Sequence, residues 1–184
     1  NNKKKLKKKK IIYFGSIGPG HGLEHLVKSS KYYNKNISLL ICGWVVDQKY
    51  YLKILKLIKK NNLQGKVRIN INVKDFTWKN EMTQSHLGVA LYEINSLSHK
   101  YMFTASQKIN AYLAASVPVL VTSTNDNKYY LKKYKCGFTT QLNSKLIGEK
   151  INRIFKNKKS YDKTKINSQK TFEKLFNFEN QFLK

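Results

Sequence analysis

At 184 residues, 41% apolar and 12% aromatic, the chain can hold one domain with a sizeable core and is too apolar to be disordered. A formal net charge of +26 would ordinarily point to a polyanionic partner. The 36 basic residues include only two arginines, Arg68 and Arg153, so the planar fork that dominates base readout is nearly missing and nucleic acid is disfavoured as a partner.

Residues 1–10 are nearly all Lys, a self-repelling segment that reads as a linker or tail. The chain starts on Asn1 and not on Met, which fits a piece of a longer protein. Ile11 to Phe14 predicts a compact strand ending at Gly15. Gly18-Pro-Gly-His-Gly22 is a turn-rich loop, and Leu23, Leu26 and Val27 open an amphipathic helix. Ser38 to Gly43 reads as a second buried strand. From Asp47 to Asn61, the apolar residues Tyr51, Leu52, Leu55 and Ile58 are taken as one helical face with Lys between them.

Lys66 to Ile71 alternates as a short strand with Val67, Ile69 and Ile71 on one face. Trp78 to Ser85 is a weaker helix. Leu87 to Tyr92 is a buried strand followed by a polar loop to Thr104. Ala105, Ile109 and Leu113, with Tyr112 beside them, then show helical spacing and pass through Ser116-Val117-Pro118 into Val119-Leu120-Val121. A helix that turns through a proline into a buried strand is half of a βαβ unit.

Lys128 to Lys135 predicts a helix and Gly137 to Gln141 a last edge strand. Residues 145–184 form a helical tail, with a break expected from Asn157 to Lys165. Alternating helices and uniformly apolar strands over 11–144 imply an α/β fold, a Rossmann-like parallel sheet with helices on both faces.

Cys42 and Cys136 have neither C-x-x-C nor metal-ligand spacing, so no metal is expected and both read as buried thiols of a reducing cytoplasm. The longest apolar run, Ile37 to Val46, includes Ser38 and Gly43 and is too short to span a bilayer. The basic start is not followed by the longer apolar region of a signal peptide. A cytoplasmic location is expected, with the Lys-rich surface able to rest against the anionic inner face of the membrane.

In an open parallel sheet, ligands bind beyond the carboxyl ends of the strands, near helix N-termini. Three loops should meet there: Gly15 to Gly22, Tyr92 to Thr104, and Thr104 to Lys108. Glycines let the first loop approach a ligand, and its amides can hold phosphate oxygens. It is neither a dinucleotide fingerprint nor a P-loop, since the glycine spacing is wrong and no Gly-Lys-Ser/Thr follows. Alone, it is equally well explained as a tight turn.

Three segments in order carry more: Gly15-Ser-Ile-Gly-Pro-Gly-His-Gly-Leu-Glu24, Ala90-Leu-Tyr-Glu-Ile-Asn-Ser-Leu-Ser-His99, and Lys108-Ile-Asn-Ala-Tyr-Leu-Ala-Ala-Ser-Val-Pro-Val119. Together they resemble the C-terminal, donor-binding half of a two-domain GT-B glycosyltransferase of the family 4 group, over about Ile11 to Leu142 and more faintly at Phe172 to Glu179. The resemblance implies a nucleotide-diphosphate sugar as substrate, a UDP-sugar in the first instance, with no separate cofactor. It also implies hexosyl transfer with retention, and an N-terminal domain that supplies the acceptor site.

By the same resemblance Gly15, Ser16, Gly20, His21 and Gly22 lie near the diphosphate. Lys108 and the helix start at Thr104, Ala105, Ser106 and Gln107 hold phosphate, and Glu93 with Asn95 to Ser98 borders the sugar. No catalytic residue is assigned. The family's two glutamates fall on Phe103 and Ala111, and Ala111 marks the expected ribose pocket. Ser116 replaces a glycine of the family pattern. The last helix, with Phe172, Leu175, Phe176, Phe178 and Phe182, is expected to leave an apolar patch for the other domain. A degenerate binding module without catalysis, and a basic nucleic-acid- or membrane-binding domain on the same scaffold, are the alternatives.

Overall fold

The computed structural model describes residues 7–71, 75–95 and 97–177, with the backbone alone for 75–77 and 98. Six strands are β1 (Lys9–Ile17), β2 (Ile37–Val45), β3 (Val67–Ile71), β4 (Leu87–Ala90), β5 (Val119–Thr122) and β6 (Gly137–Thr140). Every pairing is parallel, in the order β3-β2-β1-β4-β5-β6. The chain winds outward from β1 in one direction, then returns to wind outward from β4 in the other. That makes the β1/β4 boundary the switch point, where a crevice opens beyond the carboxyl ends.

Eight α-helices are described: α1 (Leu23–Ser29), α2 (Gln48–Lys60), α3 (Asp75–Thr83), α4 (Leu97–Lys100), α5 (Gln107–Ala114), α6 (Asn125–Tyr134), α7 (Ser144–Lys156) and α8 (Lys158–Leu175). Strand alternation divides the buried side chains into two cores. Ile11, Tyr13, Leu39 and Ile41 pack with α1, α2 and α7 on one face. Ile12, Leu40, Cys42 and Val119 pack with α5, Leu131 of α6 and the end of α8 on the other. Both cysteines are buried free thiols.

Several elements differ from the expectation. β1 starts at Lys9, because Lys9 and Lys10 pair with Ile37 and Ser38 of β2. The buried ridge of α2 is Tyr50, Ile54 and Ile58, spaced four apart, which leaves Leu52 47% and Leu55 37% exposed. On β3 only Val67 of the expected face is buried. Ala105 is exposed and outside α5, because Ser106 caps that helix through its side chain. The loop after β4 contains the short helix α4.

The break in the tail is the single residue Asn157, whose side chain accepts from Ser160 N–H and starts α8. Of the expected apolar patch, Phe172, Leu175 and Phe176 pack against the second core and are half-buried within this domain. Phe178 and Phe182 lie outside the described residues.

The β1/β4 ladder is short. It registers Ile11 with Leu87 and Ile12 with Gly88 and then stops. Continuing that register would pair Phe14 N–H with Val89 C=O. The hydroxyl of Tyr112, from α5, stands between them instead, accepting from Phe14 N–H at 2.8 Å and donating to Val89 C=O at 3.2 Å. Gly88 leaves room for the ring, since a Cβ there would lie 2.3 Å from Tyr112 Cγ. Tyr112→Phe should therefore destabilise the fold by about 1–3 kcal/mol by leaving a buried amide without an acceptor, measured as a lower midpoint in urea denaturation with an unchanged slope.

Candidate functional site

Where β1 and β4 separate, a cleft of about 380 Å³ opens. Gly15 and Ser16 at the end of β1 form part of its lining. Gly15 sits at φ 131°, and a Cβ there would meet Lys108 Cε at 2.6 Å, so only glycine fits. The start of α5 contributes Ala105, Ser106, Gln107 and Lys108. Ser106 Oγ accepts from Ile109 N–H and lies 3.1 Å from Tyr92 Oη. Gln107 and Lys108 form the first turn, whose amides have no intrahelical acceptor.

Lys108 is the unusual member. It is 9% exposed, yet no carboxylate lines the cleft among the described residues. Its Nζ donates to Tyr13 Oη at 2.9 Å and lies 4.3 Å from the Tyr13 ring centroid and 5.2 Å from that of Tyr92. Tyr13 Oη in turn donates to the Ser16 carbonyl. Burial pushes the Tyr13 phenol well above its ordinary value, so it remains neutral and cannot serve as a counter-ion. Burial also lowers Lys108 to about 7.

Two histidines flank Tyr92. His21 stands edge-on to its ring at 5.7 Å, and the His21 Nδ1 atom is buried with no hydrogen-bond partner. Burial, then the charges of Lys108 and His99, bring His21 down to about 4, so it is neutral near pH 7. His99, from α4, lies 5.5 Å from the Tyr92 ring and holds the Glu93 carbonyl at 2.6 Å through Nδ1. Glu93 N–H bonds to Gly20 C=O at 3.0 Å, which ties the two loops together. At the lip, Trp44 is 48% exposed and meets Phe14 edge-on at 5.8 Å, while Phe14 stacks on Trp78 at 4.6 Å.

Of the residues singled out in the sequence, the cleft gathers Gly15, Ser16, His21, Ala105, Ser106, Gln107 and Lys108. Gly20, Gly22, Glu93, Thr104 and Ala111 are not in its lining. Gly22 turns the loop into α1 at φ 62°, where a Cβ would strike Leu91 and Leu142. Ala111 is half-buried and packs against the second core. Phe103 is fully buried, stacked on Tyr130 at 4.9 Å, so that position belongs to the core. Ser96 lies outside the described residues.

Sequence reasoning missed Tyr13, Trp44, Tyr92 and His99 as site residues. Trp44, Tyr92 and His99 stand near a strand end or in the segment after β4, the signal that could have found them, whereas Tyr13 is mid-strand in β1 and carried no such signal. A larger hollow of about 470 Å³ involves Lys10, Arg68 and Glu81. Glu81 there pairs with Lys10 at 2.7 Å and Arg68 at 3.1 Å, so its carboxylate is already engaged. Among the described residues no His, Cys, Asp and Glu group suits a metal ion, and no helix is long and apolar enough to cross a membrane.

No family model matches the chain, and no curated protein matches its sequence. Solved structures do. The UDP complex of HepE from Anabaena superposes with TM-score 0.81 at 15% identity, over 96% of this chain and 48% of that one. A glycosyltransferase from Rickettsia africae gives 0.79 at 17% identity, over 97% and 46%. The C-terminal domain of LpcC, a glycosyl transferase group 1 family protein from Francisella tularensis, gives 0.69 at 16% identity, over 88% and 83%. The chain thus has the fold of one half of a GT-B glycosyltransferase and spans about half the length of the first two proteins.

Lys108 has a signature that stability measurements can read. The unfolded chain binds its proton below about pH 10.5 and the folded chain only below about 7, so stability falls as pH drops through that interval. Lys108→Met should flatten this part of the pH–stability curve and raise stability at pH 7 by roughly 1–3 kcal/mol, measured by urea denaturation from pH 7 to 10.

Proposed function

We propose that this chain, with the fold of half a GT-B glycosyltransferase, binds the diphosphate of a nucleotide-diphosphate sugar in the β1/β4 cleft. A UDP-sugar is the donor, and transfer to a saccharide or lipid-linked acceptor takes place once a second domain completes the site. One observation carries the reading: Lys108, buried without a carboxylate in a cleft at a helix start. A bound oxyanion would meet that ammonium, the first-turn amides of α5 and the Gly15–Ser16 backbone together. Similar structures support the choice of ligand, since HepE is described in complex with UDP, with UDP-glucose, and with UDP and glucose.

His21 adds one hydrogen bond to the ligand, donating from one ring nitrogen while the other stays unprotonated. Trp44, on the lip, offers a flat face for a base or sugar ring. The site works at the inner face of the membrane, where the Lys-rich surface favours anionic lipid.

A second reading has its own observation. Phe103 and Ala111 put no acid into the cleft, so hydrogen bonds to sugar and ribose hydroxyls from those positions are absent. That favours a module that binds nucleotide-sugars without turning them over.

Calorimetric titration at moderate salt decides whether a donor site exists. UDP and UDP-glucose should bind saturably and uridine far more weakly, because phosphate supplies most of the contact. Lys108→Met should weaken UDP about tenfold to a hundredfold, the loss of one charge-assisted hydrogen bond. A short oligonucleotide should bind only in a manner that collapses with salt. UDP binding no tighter than uridine would overturn the reading.

A further inference from the structure

We propose, building on the donor-site reading, that entry of an anion into the β1/β4 cleft draws a proton onto Lys108, so that occupancy of the site and pH are coupled. The groups facing the ammonium carry the argument. From β1 it meets the hydroxyl and ring of Tyr13, and from the segment after β4 the ring of Tyr92. The loop after β1 brings His21 and α4 brings His99, both lining the same cleft. Neither supplies negative charge, and a proton on either would oppose one on Lys108. Its own helix adds Ser106 and Gln107.

Among the described lining residues, then, nothing balances a positive charge. Both phenols are shifted up by burial and stay neutral. The ammonium is disfavoured because burial strips Lys108 of most of its contact with water and no carboxylate in the described lining takes its place. The buried Nδ1 of His21, which has no partner, marks the same shortage of ligand contacts beside it. An oxyanion within a few ångströms of Nζ reverses the balance and restores a lysine near its ordinary value. In the free protein burial holds Lys108 at about 7. Affinity should therefore be greatest below that pH and fall by up to about tenfold per unit above it, until the bound-state value is reached. His21, at about 4, carries no proton in this window and leaves the effect to Lys108.

Trace acetylation with acetic anhydride, resolved by peptide mass spectrometry, measures the protonation of Lys108 directly. The surface lysines serve as the internal standard. Rates are followed from pH 5.5 to 10.5 for the protein alone, with inorganic pyrophosphate, and with UDP-glucose, whose diphosphate does not titrate in this range. Alone, Lys108 should become reactive with a midpoint near 7, against about 10.4 for exposed lysines. Both ligands should raise that midpoint by at least one unit.

Lys108→Arg, which keeps the charge but cannot titrate, should bind UDP-glucose equally at pH 7 and 9, while the natural chain weakens at least tenfold. A free-protein midpoint with the surface lysines would overturn the proposal whether or not any ligand binds. So would a low midpoint that neither ligand moves. A midpoint moved by pyrophosphate but not by UDP-glucose would leave the coupling standing and sink the donor reading.

Discussion

A single phenolic hydroxyl holds the centre of this fold open. Parallel strands tend to extend their ladder for as long as backbone groups face one another, and β1 and β4 have residues enough to do so. Tyr112 Oη occupies the position of the next hydrogen bond, satisfying Phe14 N–H and Val89 C=O itself. Neither group is orphaned, so the strands separate at little expense. The rest depends on that separation. Without it there is no crevice between Gly15 and the start of α5, and Lys108 has nowhere to sit. Gly88 makes the arrangement feasible, because any side chain there would occupy the space of the ring.

The cleft is built against its own stability. Lys108 is desolvated, held by one neutral hydroxyl and two ring faces, and matched by no acid among the described lining residues. His21 is kept neutral beside it. Such uncompensated groups persist where the surrounding structure fixes them, and here two cores of continuous apolar packing do so. Among the described residues the other buried side-chain atom without a partner is Asn127 Oδ1, on an amide whose Nδ2 still donates to Thr122 C=O. Ser168 Oγ, by contrast, bonds to the Cys136 and Thr164 carbonyls. A buried ammonium without a carboxylate, more than the size of the hollow, distinguishes the site from the larger one, where Glu81 pairs with Lys10 and Arg68.

The inner strands were legible in the sequence because Ile11 to Phe14, Leu39 to Cys42, Leu87 to Ala90 and Val119 to Val121 are nearly continuous apolar runs, while the Lys9–Lys10 start of β1 was not. The turn from Tyr112 through Pro118 into Val119 declared itself by composition alone. The face of α2 was not legible: Leu52 and Leu55 are as apolar as Ile54, and only the direction of the helix relative to β2 decides which are buried. Lys108 was singled out in the sequence and lies in the cleft, but its burial was not legible. Sequence reads lysine as solvated, and the rings of Tyr13 and Tyr92 that enclose it come from β1 and from the segment after β4. Phe103 illustrates the converse. Its position aligned with a functional acid, whereas its stacking on Tyr130 and the Phe103 N–H bond to Asp126 make it structural.

Tyr13 belongs to two places at once. Its ring is part of the core packed between the sheet and α1, α2 and α7, while its hydroxyl accepts a hydrogen bond from Lys108 Nζ and donates one to the Ser16 carbonyl. β1, the strand that carries it, lies between β2 and β4. One aromatic side chain thus connects the lysine of the cleft to a central strand of the sheet. Tyr13 is not in the lining of the cleft, yet it joins the first core to the lysine that is. Repacking of that core therefore reaches the cleft through one hydrogen bond and one ring contact.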